Sequence, residues 1–171
     1  SWDVPRDKKL ILMPGRLSAW KGHEVFIEAL NLVNKELGHP FFYAVILGSD
    51  QGRDIYTKKI KRLAEQYRLM PQLKFVSQCK NMPLAYKVSN LVVSASVEPE
   101  AFGRVAVEAQ SMEKPIIASD IGGSNETITN NVSGFLFESN NPESLSKKII
   151  EVLNLDESRL KLIGIEGRKN I

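Results

Sequence analysis

Cysteine and histidine are scarce in this chain of 171 residues, which has one cysteine and two histidines. The lone Cys79 excludes a disulfide within the chain and is typical of a reducing compartment, so we expect a core or loop thiol there. His23 and His39 have no second ligand at the spacing of a metal site. No Ser/His/Asp or Cys/His set suggests acyl transfer. The sequence therefore predicts neither a resident metal nor acyl-enzyme chemistry.

Net charge and long apolar runs are limited as well. The formal charge is +3, and the basic run at 58–62 has the pattern of a solvated helix face, so we predict no nucleic-acid binding. The longest apolar run, 41–47, is too short to cross a membrane, and no signal-peptide pattern opens the sequence. We expect a cytoplasmic location, with the inner face of a membrane as the alternative.

Apolar runs rich in β-branched or aromatic residues alternate with segments of helical periodicity. This alternation is typical of a parallel sheet with crossover helices, and the length suffices for one such domain. We predict an α/β fold in one domain, 1–171, with a Rossmann-like parallel sheet of about six strands flanked by helices. The predicted strands are 9–13, 42–47, 73–76, 91–94, 115–119 and 134–137.

Helices are predicted between these strands. The segment 22–37 carries Phe26 and Leu30 on one face and ends at a glycine, a common C-terminal signal. Nearer the end of the chain, Asn141 and Asp156 are predicted to cap two further helices. The remaining predicted helices are 54–68, 82–88 and 102–112.

Two acidic residues flank the start of the predicted helix 102–112. Glu108 follows Val105 by three residues and falls on the same buried face, where a carboxylate needs hydrogen-bond donors. A ribose diol would supply them, and an ion pair with a lysine or arginine is the alternative. Glu100 precedes the first turn, where free backbone N–H groups favour a phosphate and Gly103 permits close approach. The pattern predicts a nucleotide laid along the helix start.

Several short motifs along the chain occur in a characteristic order. They are GRL at 15–17, KG at 21–22, ILG at 46–48, EAFG at 100–103, EA at 108–109, ASDIGG at 118–123 with Glu126, and GFL at 134–136. This order resembles the C-terminal, donor-binding domain of retaining GT-B glycosyltransferases, and the nearest group is family four, the glycosyl group 1 set. The resemblance implies a nucleoside diphosphate sugar as donor substrate, two Rossmann-like domains across a cleft, and no required metal or other cofactor.

The resemblance also assigns roles to matching residues. Arg16 and Lys21, in the glycine-containing loop that begins at Gly15, match the basic pair that binds the diphosphate and steadies its departure. A surface salt bridge is the alternative for Arg16. Glu100 matches the glutamate that holds the donor sugar, and Glu108 matches the one that binds ribose. We therefore expect catalytic roles for the first glutamate and the two basic residues.

The remaining predicted binding residues surround the same helix start. They are Phe102, Gly103 and Val105, with backbone N–H groups of the first turn directed at the phosphate. Arg104 stands where the family mostly has an aliphatic residue, and it either reinforces phosphate binding or faces another domain. Lys80 is either a third phosphate ligand or plain surface charge.

The resemblance implies partners beyond the nucleotide sugar. It implies that this chain is the C-terminal half of a GT-B fold, that the N-terminal acceptor domain is absent from it, and that the isolated domain is inactive. The expected acceptor is a glycan or a lipid-linked sugar, as in cell-envelope polysaccharide synthesis, and any peripheral membrane contact runs through the absent domain. UDP and GDP stay open as the nucleotide, because the segment 77–80 lacks the glycine usual near the base.

Two other function classes remain as alternatives. An α/β pattern also fits a dinucleotide-binding dehydrogenase module, although the loop 14–18 reads PGRLS rather than G-x-G-x-x-G. A non-catalytic domain that kept the fold and the nucleotide-sugar site is the other.

Overall fold

A six-stranded parallel sheet forms the centre of the molecule. The computed structural model of the chain describes residues 2–38, 41–52 and 54–171. Within these ranges the sheet order is β3-β2-β1-β4-β5-β6, and every neighbouring pair is parallel. The strands are β1 (Lys9–Pro14), β2 (Phe42–Leu47), β3 (Leu73–Val76), β4 (Leu91–Ser94), β5 (Ile116–Ser119) and β6 (Phe135–Phe137). The predicted α/β fold is confirmed.

Seven helices lie in the described part of the chain, together with a single 3-10 turn at Ala19–Lys21. The helices are α1 (His23–Leu37), α2 (Asp54–Gln66), α3 (Met82–Val88), α4 (Arg104–Ser111), α5 (Ser124–Thr127), α6 (Pro142–Leu153) and α7 (Glu157–Lys169). The predicted caps of α6 and α7 are confirmed, since Asn141 accepts from the N–H of Ser144 and Asp156 from that of Arg159. None of the described helices has both the length and the apolar character of a membrane span.

Predicted helix ends differ from the observed ones at backbone positions of positive φ. The helix predicted at 102–112 begins only at Arg104, because Gly103 takes φ 61° and stands as its N-cap. The helix predicted at 54–68 ends at Gln66, shortly before Arg68 with φ 56°. Helix α5 was not predicted at all. His39, the second histidine, lies outside the described residues.

Both faces of the sheet are covered. Helices α1, α2, α6 and α7 bury one core with residues such as Phe26 and Ile149. Helices α3 and α4 bury the other with residues such as Ala85 and Ala109. The strands therefore read as continuous apolar runs rather than alternating ones.

The strand order reverses between β1 and β4, which are neighbours in the sheet. After β1 the chain builds outward to β3, and it then crosses back to begin β4 on the other side. The loops that follow β1 and β4 consequently lie side by side, and the N–H of Val97 donates to the carbonyl of Trp20 at 2.8 Å. In open α/β sheets this switch point is where ligands bind.

Candidate functional site

A cavity of about 560 Å³ opens between the two loops at the switch point. Eight of the ten predicted binding residues line it: Gly15, Arg16, Lys21, Glu100, Phe102, Gly103, Arg104 and Val105. Glu108 and Lys80 are not among its lining residues. A groove of about 590 Å³ between the first residues of the chain and α3 has a similar size but contains none of the ten.

Glycines let the loops around the cavity pack backbone against backbone. Gly22 has φ 73°, and a Cβ there would lie 1.8 Å from the carbonyl oxygen of Ala95, so the loops after β1 and β4 touch at this point. Behind the second loop, the N–H of Gly123 donates to the Glu100 carbonyl at 2.7 Å. A Cβ on Gly122 would lie 2.7 Å from that same carbonyl oxygen. The backbone of Glu100 is therefore packed closely against the loop that follows β5.

Glu100 and Lys21 form an ion pair inside the cavity. The Lys21 Nζ lies 2.8 Å from the Glu100 Oε1, and the side chains are 13% and 15% exposed. The same carboxylate oxygen accepts a hydrogen bond from the Ser96 hydroxyl, and the Lys21 Nζ also sits 4.3 Å from the centre of the Trp20 ring. An ammonium group has three donors, so Lys21 can hold the carboxylate and still reach an anionic ligand.

Arg16 is exposed and lines the same cavity. Among the residues that the structure describes, no acidic side chain forms an ion pair with it. The alternative of a surface salt bridge therefore finds no partner within the described ranges. Its planar guanidinium is available for two oxygens of one anion.

Glu108 lies on α4 beyond Arg104 and is half-exposed, its side chain being 41% accessible. The predicted burial of this carboxylate is wrong, because Glu108 stands at the margin of the apolar stripe and is only partly buried. Its Oε2 accepts a hydrogen bond of 2.6 Å from the Tyr86 hydroxyl, and its Oε1 lies 3.4 Å from the Arg104 Nε. Burial, and next the bond to Glu108, raise the pKa of the Tyr86 hydroxyl, which therefore stays protonated as a donor.

His23 is the first residue of α1 and is completely buried. Burial, opposed by a hydrogen bond to the backbone of Ser18 and assisted by the nearby Lys21, lowers the pKa of His23 to about 4. The imidazole is neutral at pH 7, and the Tyr56 hydroxyl lies 3.5 Å from its Nδ1. No cluster of metal-ligating side chains occurs in the ranges 2–38, 41–52 and 54–171.

The loop before α3 holds the two other predicted residues. Lys80 is exposed, and Cys79 is a half-buried free thiol whose Sγ lies 3.3 Å from the Asn81 carbonyl oxygen. The expectation of a core or loop thiol fits this position, since Cys79 lies in a loop and packs against the core.

The sequence model of the family described as "Glycosyl transferases group 1" matches residues 1–168. The chain belongs to this family. Its fold is that of the C-terminal domain of GT-B glycosyltransferases. As expected from the resemblance, the cavity at the switch point is therefore part of a group 1 glycosyltransferase domain.

Similar proteins include glycosyltransferases of known structure. One from Rickettsia africae is 38% identical, with a TM-score of 0.92, and the match covers 99% of this chain and 44% of that one. Anabaena HepE in complex with UDP and glucose is 27% identical with a TM-score of 0.88, over 95% of this chain and 43% of that one. A D-inositol 3-phosphate glycosyltransferase from Xylanimonas cellulosilytica is 29% identical over 93% of this chain. This chain spans only 37–42% of the length of such curated relatives.

Two contacts of this glycosyltransferase domain were not foreseen from the sequence. Both join residues far apart in the chain, Lys21 to Glu100 and Tyr86 to Glu108. Tyr86 falls in the predicted helix 82–88, where its ring reads as an ordinary core residue. The one available signal was the requirement that a carboxylate on an apolar face find a donor.

Proposed function

We propose that this domain binds the nucleoside diphosphate sugar donor of a retaining glycosyltransferase, which transfers the sugar to a glycan or lipid-linked acceptor. The observation that carries the proposal is the 2.8 Å pair of Lys21 and Glu100 in one cavity with the exposed guanidinium of Arg16. Fixed cations suit a diphosphate, and a fixed carboxylate suits sugar hydroxyls. The similarity to HepE, which binds UDP and glucose, supports the same ligand class.

The phosphate end of the proposed ligand lies against Arg16, Lys21 and the first turn of α4. Departure of a nucleoside diphosphate builds negative charge on its oxygens, and preorganised cations and N–H groups stabilise that charge. The first-turn N–H groups of α4 open onto the cavity because Gly103 and Val105 line it. These groups perform the charge compensation, so we propose that transfer needs no metal.

The sugar end of the proposed ligand lies against Glu100. Its carboxylate is held by Lys21 and Ser96 and is only 15% exposed, so its position is set before the ligand arrives. A carboxylate there accepts hydrogen bonds from sugar hydroxyls and stabilises positive charge at the anomeric carbon. The Lys21 ammonium would contact both the ligand phosphate and Glu100. The leaving group and the sugar would therefore bind to neighbouring side chains.

The ribose end of the proposed ligand lies against Glu108. On α4 this residue stands four positions beyond Arg104 at the cavity rim, about 6 Å along the helix axis. Two carboxylates thus bracket the phosphate site, one toward the sugar and one toward the ribose. We further propose that a second, acceptor-binding domain closes the cleft and that the whole enzyme works in the cytoplasm.

Ligand-induced stabilisation tests this proposal on the 171-residue chain. UDP or GDP at about 100 times its dissociation constant should add about 2.7 kcal/mol to the free energy of unfolding. The double variant Arg16→Ala, Lys21→Ala should lose the effect, whereas Lys58→Ala, at an exposed lysine on α2, should keep it. Stabilisation by NADH but by no nucleoside diphosphate would instead favour the dehydrogenase alternative, and no stabilisation by any nucleotide would contradict the proposal.

A further inference from the structure

A short hydrogen bond joins α3 to α4 beside the cavity. The Tyr86 hydroxyl donates to the Glu108 Oε2 at 2.6 Å, across 22 positions of sequence. The Tyr86 ring is 2% exposed and packs in the core with Leu12 and Ala109. Because the ring is packed in this way, the position of the Tyr86 hydroxyl is fixed, and the Glu108 carboxylate orients toward it.

The two oxygens of Glu108 have unequal partners. Oε2 meets the buried phenol, whereas Oε1 lies 3.4 Å from Arg104, whose side chain is 83% exposed. An exposed i,i+4 pair of this kind fixes little, because water competes for both charges. The phenol is thus the contact that sets the orientation of the carboxylate.

We propose that Tyr86 is the positioning residue of the ribose site, holding Glu108 so that its free lone pairs face the two ribose hydroxyls. This inference rests on the proposed function, in which Glu108 accepts hydrogen bonds from ribose. A carboxylate offers about four acceptor sites and the phenol takes one, which leaves enough for a vicinal diol. Because a free glutamate side chain loses much rotamer entropy when it is ordered, prior fixation improves affinity.

Packing alone would not require the hydroxyl. Phenylalanine would fill the same apolar space, and a buried phenol must find a partner for its O–H. Here that partner is a half-exposed carboxylate, at the proposed ribose site, rather than a backbone carbonyl. The hydroxyl also remains a donor, since Tyr86 does not ionise near neutral pH.

The test is calorimetry of UDP and inorganic pyrophosphate with the variant Tyr86→Phe. We expect the dissociation constant for UDP to rise about three- to tenfold, as for loss of one hydrogen bond, while that for pyrophosphate changes less than about twofold. Tyr67→Phe, which removes the hydroxyl of a half-buried tyrosine in the other core, should change neither constant. In a Glu108→Gln background, Tyr86→Phe should add little further loss.

The outcomes separate the inference from the proposed function. Suppose that Glu108→Gln weakens the binding of UDP more than that of pyrophosphate. If Tyr86→Phe then binds UDP as the wild type does, or loses affinity for both ligands equally, the positioning role is wrong and the ribose role of Glu108 stands. If Glu108→Gln leaves the ratio of UDP to pyrophosphate affinity unchanged, the ribose role itself is wrong. Should Tyr86→Phe fail to fold, Glu108→Asp, which withdraws the carboxylate from the phenol, should show the same selective loss; equal UDP affinity there would overturn the inference.

Discussion

The two carboxylates of the site are held in opposite ways. Glu100 is 15% exposed and is bound by the cation Lys21, which comes from a loop 79 positions earlier on the other half of the sheet. Glu108 is 41% exposed and is bound by the neutral phenol of Tyr86 on the preceding helix α3, and more loosely by the exposed Arg104. The first is thus paired with a largely buried cation from a distant loop, whereas the second is held by a buried phenol and has only an exposed arginine as its cationic partner.

This difference fits a division of labour. Where charge changes during a reaction, a preorganised and rigid environment contributes most to the rate. Where a ligand is only recognised, a partly exposed acceptor with one fixed oxygen is sufficient. The comparison predicts that changes at the Glu100 end alter turnover and stability, while changes at the Glu108 end alter selectivity among ligands.

The largest expected effect is on turnover at the Glu100 end. In a complete transferase that contains this domain, Glu100→Gln should lower kcat by about two orders of magnitude, a loss typical for one preorganised electrostatic group. The dissociation constant for UDP or GDP should change far less, because the nucleotide does not need this carboxylate. Kinetics and proton NMR of the product check this prediction; an undiminished kcat or an inverted linkage would contradict it.

Acid should weaken the loop on which the Glu100 end depends. In the unfolded chain the pKa of His23 is near 6.5, whereas in the native protein it is about 4. The contribution of His23 to the free energy of unfolding is therefore fully present above pH 6.5. It decreases by about 3 kcal/mol as the pH falls toward 4. Urea unfolding at several pH values should show a smaller decrease for His23→Gln. Parallel curves for the two proteins would show that the imidazole is not responsible.

The two cations that we propose as phosphate ligands should differ in their effect on stability. Lys21→Ala would remove a proposed phosphate ligand and also the cationic partner of Glu100, whereas Arg16→Ala would remove a proposed phosphate ligand only. Each should raise the dissociation constant for UDP tenfold or more, as about 1.5–3 kcal/mol per charged contact implies, and should reduce its salt dependence.

Thermal unfolding without ligand distinguishes the two cation variants. Lys21→Ala should lose about 1–2 kcal/mol and Arg16→Ala almost nothing. Equal stability losses would show that the ion pair with Glu100 contributes no more than an exposed arginine does.

The smallest effect is expected at Arg104. Its contact with Glu108 is 3.4 Å long and its side chain is 83% exposed, so Arg104→Ala should change the dissociation constant for UDP less than about twofold. Titration with both UDP and pyrophosphate measures this. A larger loss shared by the two ligands would instead assign Arg104 to the phosphate site.

Local sequence signals were sufficient for most of the fold. Strands β2, β3 and β4 and helix α3 agree at both ends with their predictions, because apolar runs, proline and capping side chains mark these bounds. The short helix α5 carries no such pattern, and the start of α4 depended on the positive φ of Gly103, which a sequence permits but does not require.

The sequence predicted residues that gather at one cavity, but it did not predict which of them contact one another. Eight of the ten residues predicted from the motif order line this cavity, and their binding roles stay predictions. Neither the ion pair of Lys21 and Glu100 nor the bond from Tyr86 to Glu108 follows from a local pattern, because each joins two loops or helices that only the sheet order brings together. The residue types therefore indicate the chemistry of the site, whereas the sheet order at the switch point determines which side chains contact one another.

The most direct test of the account is a crystal structure of this domain with UDP bound. We predict ribose hydroxyl oxygens at about 2.5–3.0 Å from the Glu108 carboxylate. The diphosphate should contact Arg16, Lys21 and the first turn of α4, with the terminal phosphate toward Glu100. UDP in the opposite direction along the cavity, or in the groove beside α3, would contradict the division of one donor between the two glutamates.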